Sequence, residues 1–226
     1  MESLKVPKVL PVMTLPRTVF FPQSLLPLHI FEPRYREMLR DVLASDRLFA
    51  VARLDPAEAA KSGAPEPPHR IATVGIIRAC QKAEEDASNL LLQGLTRVEI
   101  CGIVREKPYR MISVRTLATR AGGTQQDLDA IRVDVMRLLN VRRRLGAPAP
   151  KGITQFLDSI EDIDAFVDVA AFNLCEDDAV KQRLLEELDT NRRLVLLARQ
   201  LKGEIEIQRL RRKLQGRLPD DGIINN

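Results

Sequence analysis

Short apolar runs separated by turn residues fill the first half of the chain, and apolar positions at helical spacing fill the second. Val9–Leu15, Leu25–Ile30, Leu48–Leu54, Ile71–Cys80, Asn89–Gln93, Val98–Val104 and Arg110–Leu117 each have the length and residue types of a strand. Many short strands in series predict a compact barrel or sandwich. Pro11 removes a ladder donor, which points to Val9–Leu15 as an edge strand. One helix interrupts the series. From Glu32 to about Ala44, the apolar residues Tyr35, Met38, Leu39, Val42 and Leu43 fall at i, i+3, i+4, i+7 and i+8. Pro33 suits its first turn, where a missing N–H costs nothing. Asp55–Arg70, with Pro56, Gly63, Pro65, Pro67 and Pro68, predicts a surface loop, and the acidic stretch Lys82–Ser88 a hairpin tip.

The second half predicts helices. Leu128, Ile131, Val135, Leu138 and Leu139 form one face of a helix from Gln126 to about Leu145, stopped by Gly146, Pro148 and Pro150. A short helix carries Ile153, Phe156, Leu157 and Ile160. Asp162 opens a third, with Ile163, Phe166, Val167, Ala170 and Leu174 on one side. Asp177 caps a fourth bearing Val180, Leu184 and Leu185. The last runs from about Thr190 to Gln215 with the stripe Leu194, Leu197, Leu201, Ile205, Leu210 and Leu214. At 1.5 Å per residue it spans about 39 Å, more than a small bundle needs, so its end is expected to project. Gly122 and Gly123 mark the boundary between a β-rich unit, residues 1–120, and a helical unit, residues 121–226.

Composition narrows the function classes. The 226 residues are 45% hydrophobic and 29% charged, enough apolar mass for a core and therefore not a disordered chain. Aromatic residues are 4% with no Trp, which leaves base stacking poorly supplied. The net charge of +4 is too small to require a nucleic-acid partner. Residues 1–120 hold 18 basic and 13 acidic side chains against 17 and 18 in the remainder, so an anion-attracting face belongs to the first half. Cys80, Cys101 and Cys175 are unpaired in any zinc or redox spacing and read as reduced thiols of a cytoplasmic protein. His29 and His69 are 40 residues apart with no nearby Cys, so no metal site is expected. The proline-broken, acidic start is not a signal peptide, and no run reaches the ~18 apolar residues of a membrane span.

Three blocks carry a resemblance. LPRTVFFP from Leu15 to Pro22 with LPLHIFEPRYR from Leu26 to Arg36 resembles the N-terminal domain of Lon proteases, in its free-standing bacterial form. Val74–Ile77 and LLLQGLTRV from Leu90 to Val98 are similar to that family's second block, a strand pair ending in Gly-x-x-Arg. Lys181–Glu186 with Arg192–Leu194 and Glu204–Glu206 is similar to its helical third block. The resemblance covers about residues 9–215. It implies an α+β fold: a PUA-like β pseudo-barrel with one inserted helix, then a helical bundle ending in a long helix. It also implies substrate recognition. A full Lon protease continues into an ATPase and a Ser–Lys peptidase. This chain ends at Asn226 and has no G-x-x-x-x-G-K-[ST] phosphate loop, so neither catalysis nor a cofactor is expected.

The first functional reading is a non-catalytic module that binds unfolded or damaged polypeptide, or a protein partner. Strand addition at an open sheet edge would supply the contact. Candidate binding residues are Leu15, Phe20, Phe21 and Leu28. Phe20 and Phe21 are adjacent, so in a strand they face opposite ways, and one of them is available for an exposed patch unless the prolines bend the segment and bury both. The second reading is an RNA-binding or regulatory protein built on the PUA-like barrel. The low aromatic content and scattered basic residues disfavour nucleic acid. An enzyme with an unseen site is the third. Glu32, Arg34 and Arg36 read as a helix start or a charged cluster. Gly75 and Gly94 read as bulge or turn positions. Arg142–Arg144 and the cluster Arg209, Arg211, Arg212, Lys213 and Arg217 read as solvated faces or anion contacts. The apolar stripe of the last helix offers a homodimer seam.

Overall fold

A computed structural model describes residues 5–84, 86–147 and 149–215; Pro148 and Arg217, named above, and Glu85 of the stretch Lys82–Ser88 lie outside the described residues. The strands are β1 (Val9–Leu15), β2 (Leu25–Ile30), β3 (Leu48–Arg53), β4 (Ile71–Lys82), β5 (Ser88–Arg105) and β6 (Met111–Thr116). The helices are α1 (Pro33–Leu43), α2 (Pro56–Ser62), α3 (Gln125–Arg144), α4 (Ile153–Asp158), α5 (Ile163–Leu174), α6 (Asp178–Glu186) and α7 (Thr190–Gln215).

The sheet order is β2-β5-β4-β3-β1-β6, and β6 pairs again with β5. Strands β5, β4, β3, β1 and β6 therefore close a ring, in which only β1 and β3 run parallel. Closure leaves β2 as the one flanking strand, paired to the first part of β5 alone, from Leu25↔Gln93 to Ile30↔Ser88. The expected α+β fold, barrel first and helices after, is the observed one. Three details differ from expectation. The expected strands Asn89–Gln93 and Val98–Val104 are one continuous strand, β5, bent at irregularities in its pairing with β4 and β6. β1 is paired on both sides and is not an edge; its ladder to β3 begins at Val12, so the missing N–H of Pro11 falls just before it. The barrel half also holds two helices, not one. Within the expected loop, Asp55 accepts hydrogen bonds from the N–H groups of Ala57 and Glu58, Pro56 takes the first turn, and Gly63 at φ +66° ends α2.

Three apolar clusters follow. The barrel interior is Leu10, Val12, Leu48, Ala50, Ala52, Ala72, Val74, Val98 and Ile112, small enough for a narrow ring. A second cluster lies between α1 (Tyr35, Met38, Leu39, Val42) and the sheet, where it takes Met13 of β1, Leu26 and Ile30 of β2, Phe49 and Val51 of β3, Ile77 of β4, and Leu90 and Leu92 of β5. The third is the helical core, and it includes Val19 and Phe21 from the barrel half. Asp162 and Asp177 cap α5 and α6 by accepting N–H groups of their first turns. Thr124 and Asp127 form a reciprocal capping box at α3. Among the described residues no helix is long and apolar enough to cross a membrane.

Candidate functional site

Phe20 and Phe21 do face opposite ways, but each way leads into a core. Phe20 is 1% exposed and sits in the cluster under α1; Phe21 is 0% exposed and sits among the helices. The segment between β1 and β2 crosses the sheet where Gly75 and Gly94 are register partners beside a bulge. A Cβ on Gly94 would lie 2.1 Å from the Phe21 carbonyl oxygen, and one on Gly75 would lie 2.9 Å from the Phe20 ring. Both glycines make room for this crossing. Phe20 also meets Phe172 of α5 edge-on, with centroids 6.3 Å apart. Neither phenylalanine is presented to a partner, a correction to the sequence expectation. Leu15 and Leu28 are half-buried against the α1 cluster.

The exposed apolar residues of this segment occupy the alternate row of β2. Leu26 and Ile30 are buried and Leu28 half-buried, whereas Leu25 (51% exposed), Pro27, His29 and Phe31 (63% exposed) stand on the outer face. Leu91, opposite Pro27 on β5, adds a half-buried apolar side chain to the row. The ring of His29 stacks on Phe31 at 6.0 Å, and its Nδ1 lies 2.8 Å from Asn89 Oδ1. The aromatic end of the row is thus held in place while remaining open. The sequence did carry a signal for it. Both rows of LLPLHIF are largely apolar, but Pro27 and His29 share the odd row and mark it as the solvent side.

The free edge of β2 is a poor template for an added strand. Gly94 N–H donates to Ser24 O, so by alternation Leu26 and Leu28 turn their backbone groups toward β5, and Leu25, Pro27 and His29 turn theirs outward. Pro27, at the centre of the outward set, has no N–H to give, a common way of blunting an edge.

A second feature is buried. Arg97, at the end of the Gly94–Arg97 motif on β5, makes a two-pronged pair with Asp168 of α5 at 2.7 and 2.5 Å, and its Nε donates to Leu185 O at 3.0 Å. Arg193 of α7 reaches the same Asp168 and also Asp164. Burial pushes the Asp168 carboxyl up, against the pull of Arg97 and Arg193. Burial acts on Asp164 in the same sense, but Arg193 and the Thr190 and Thr119 hydroxyls hold it below the usual range. The charges are matched within the network, so Arg97 joins barrel to helices and is not a free anion receptor. A polar cleft of about 600 Å³ opens beside it, walled by Gln23, Thr96, Thr119 and Asp162.

Arg34, from the charged cluster at the start of α1, pairs with Glu32 and forks onto Glu66 at 2.5 and 3.0 Å. Arg110 donates to the carbonyls of Pro65 and Glu66. Together they hold Glu66 at φ +49°, a conformation a side chain resists. The fork from Arg34 lowers the Glu66 carboxyl from its ordinary range.

Comparisons with known proteins agree with this architecture. The family model of the ATP-dependent protease La (LON) substrate-binding domain matches residues 9–203. The Lon protease 2 of Myxococcus xanthus is 27% identical over 209 residues, covering 92% of this chain and 25% of the relative. The Lon protease of Dictyoglomus thermophilum is 26% identical over 224 residues, covering 97% of this chain and 27% of the relative. The chain spans about a quarter of the length of these curated relatives. The N-terminal domain of a Mycobacterium avium complex Lon protease shares the fold at a TM-score of 0.66 and 18% identity, over 86% of this chain and 98% of that one. A Lon N-terminal domain protein from Xanthomonas campestris does so at 0.62 and 19%, over 84% and 96%. The chain belongs to the family of the Lon substrate-binding domain.

Proposed function

We propose that this chain is a non-catalytic polypeptide-binding module and that its contact surface is the outer face of β2. The observation that carries the reading is the row Leu25, Pro27, His29 and Phe31, apolar or aromatic, exposed, and mounted on a strand that the closed barrel and the α1 cluster hold rigid. Such a row attracts the apolar side chains that a folded protein hides and an unfolded one displays. Side-chain contact replaces strand addition here, because Pro27 interrupts the edge. Membership of the Lon substrate-binding family supports recognition of protein substrates; the clients are those with exposed apolar segments.

The test is a fluorescence anisotropy titration with a labelled, permanently unfolded polypeptide at physiological salt, with unlabelled RNA as competitor. Covering Leu25 and Phe31 is worth about 1 kcal/mol each at their present exposure, so Leu25→Asp with Phe31→Asp is expected to weaken binding roughly ten- to thirty-fold. Unchanged affinity in the folded double variant would reject this surface. Displacement by RNA, with a steep salt dependence, would favour the regulatory RNA-binding reading instead.

A further inference from the structure

The row on β2 continues across the outer face of the two strands beside it. Register partners in an antiparallel pair put their side chains on the same face. Asn89, Leu91 and Gln93 of β5 therefore stand beside His29, Pro27 and Leu25, and their own partners on β4 are Gln81, Ala79 and Ile76. Apart from the His29 ring, this stretch presents apolar groups and amides, and none of these residues is an aspartate or glutamate. One guanidinium joins it. Arg78 is the extra residue of a bulge, between the pairs Ile77↔Leu92 and Ala79↔Leu91. Such a bulge re-aims a side chain. The exposed Arg78 reaches over β5, where its Nε donates to Gln93 Oε1 at 2.6 Å. Gln93 is the partner of Leu25, so the guanidinium is anchored one strand away from the Leu25 end of the row. Arg34, Arg36, Arg110 and Arg115 are taken up by ion pairs, whereas Arg78 forms none among the described residues.

From this geometry we propose that Arg78 sets the specificity of the face: its partner is an extended apolar segment that carries an acidic side chain at one end. The inference rests on the reading of β2 as the contact surface and adds the charge of the client to it. Gln93 fixes the Nε side of the guanidinium and leaves the two terminal nitrogens to take a carboxylate. A chain laid over Leu25 also takes water from Arg78. An uncharged client leaves that cation desolvated without compensation, a basic one repels it, and an acidic one answers it. With no carboxylate on the face itself, nothing competes for the arginine. Leu25 to Phe31 is six residues of strand, about 20 Å at 3.3 Å per residue. The carboxylate therefore belongs at one end of a bound segment and its apolar side chains along the rest, toward His29 and Phe31.

Three labelled peptides test this by fluorescence anisotropy on the whole chain at physiological salt. Each has the same apolar and aromatic centre of about seven residues, flanked on both sides by Glu, by Gln or by Lys, so that either chain direction brings the flank to Arg78. The wild type is expected to bind the Glu form about ten-fold more tightly than the Lys form, with the Gln form between them. Arg78→Gln is expected to bring the three together, and Arg78→Glu to reverse their order. Lys202→Glu makes the same change of net charge on α7, away from this face, and is expected to keep the wild-type order. Equal affinity of the wild type for all three peptides overturns the proposal, as does an Arg78→Glu variant that keeps the wild-type order or a Lys202→Glu variant that reverses it. If that equal binding is still weakened by Leu25→Asp with Phe31→Asp, the β2 surface stands and the selection by Arg78 alone falls. No binding of any peptide overturns both.

Discussion

Asp168 shows what one side chain can decide. It is buried and shared by two guanidiniums from different elements, Arg97 on β5 and Arg193 on α7. Removing the carboxylate charge leaves Arg97 without a counter-ion in a low-dielectric interior, while Arg193 keeps Asp164, and breaking a buried pair costs far more than replacing it. Asp168→Asn is expected to lower stability to denaturant by about 3–5 kcal/mol, whereas Asp168→Leu combined with Arg97→Met is expected to lose less than the sum of the single changes. Equal additivity in that cycle would mean the charges are not coupled. The same scale explains the Gly-x-x-Arg motif: Gly94 admits the Phe21 backbone, and Arg97 ties the strand to α5. Cys175, at the end of α5, is unreactive by the same measure, since burial pushes its thiol up to about 11 and leaves little thiolate.

At the scale of elements, local signals were strong where the chain caps itself. Asp162, Asp177 and Thr124 start their helices because each side chain accepts first-turn N–H groups. The same chemistry at Asp55–Pro56 starts α2, but proline density masked it. The segment after α2 is held by the fork from Arg34, by Arg110, and by backbone bonds from Asp55 N–H to Pro67 O and from His69 N–H to Arg53 O. The fork lowers the Glu66 carboxyl. Its stabilising effect is therefore present above the ordinary glutamate value and is lost as pH falls through the lowered one. Both partners are more than a third exposed, so the contribution is below about 1 kcal/mol. The melting temperature of the wild type should exceed that of Glu66→Gln at pH 7, and the gap should close as the medium is acidified below the ordinary glutamate range. A gap that persisted at pH 2 would contradict this assignment.

At the scale of the whole molecule, the boundary at Gly122–Gly123 separates compositions more than cores. Val19 and Phe21 sit among the helices, Gln182 of α6 donates to Ile71 O, Arg53 donates to Asp178 O, Thr190 N–H donates to Arg120 O, and Arg120 N–H donates to Leu188 O. Residues 1–120 alone would expose Phe21 and leave Arg97 without its carboxylate. We expect one cooperative unfolding transition for the full chain and no stable fold for the fragment 1–120. Two separate transitions by circular dichroism and calorimetry would show that the halves are independent.

The sequence by itself determined most strands and helices, the α+β class and the family, because these rest on local periodicity, capping and contiguous motifs; it divided β5 in two at Gly94–Arg97. Its turn chemistry also marked Gly75 and Gly94, and its alternation placed the two phenylalanines on opposite faces. Only the tertiary structure decided what lay on each face. Ring closure between β5 and β6 made β2 the flanking strand in place of β1, a pairing between residues far apart in the chain that no local pattern encodes. Packing of the helices against the sheet turned a face that alternation alone would leave open into a second core. That buried both phenylalanines and left Leu25, Pro27, His29 and Phe31 outside. Burial is a property of what arrives from elsewhere in the chain, and for that reason the sequence marked the odd row of β2 only through Pro27 and His29, and folding decided that it stays open.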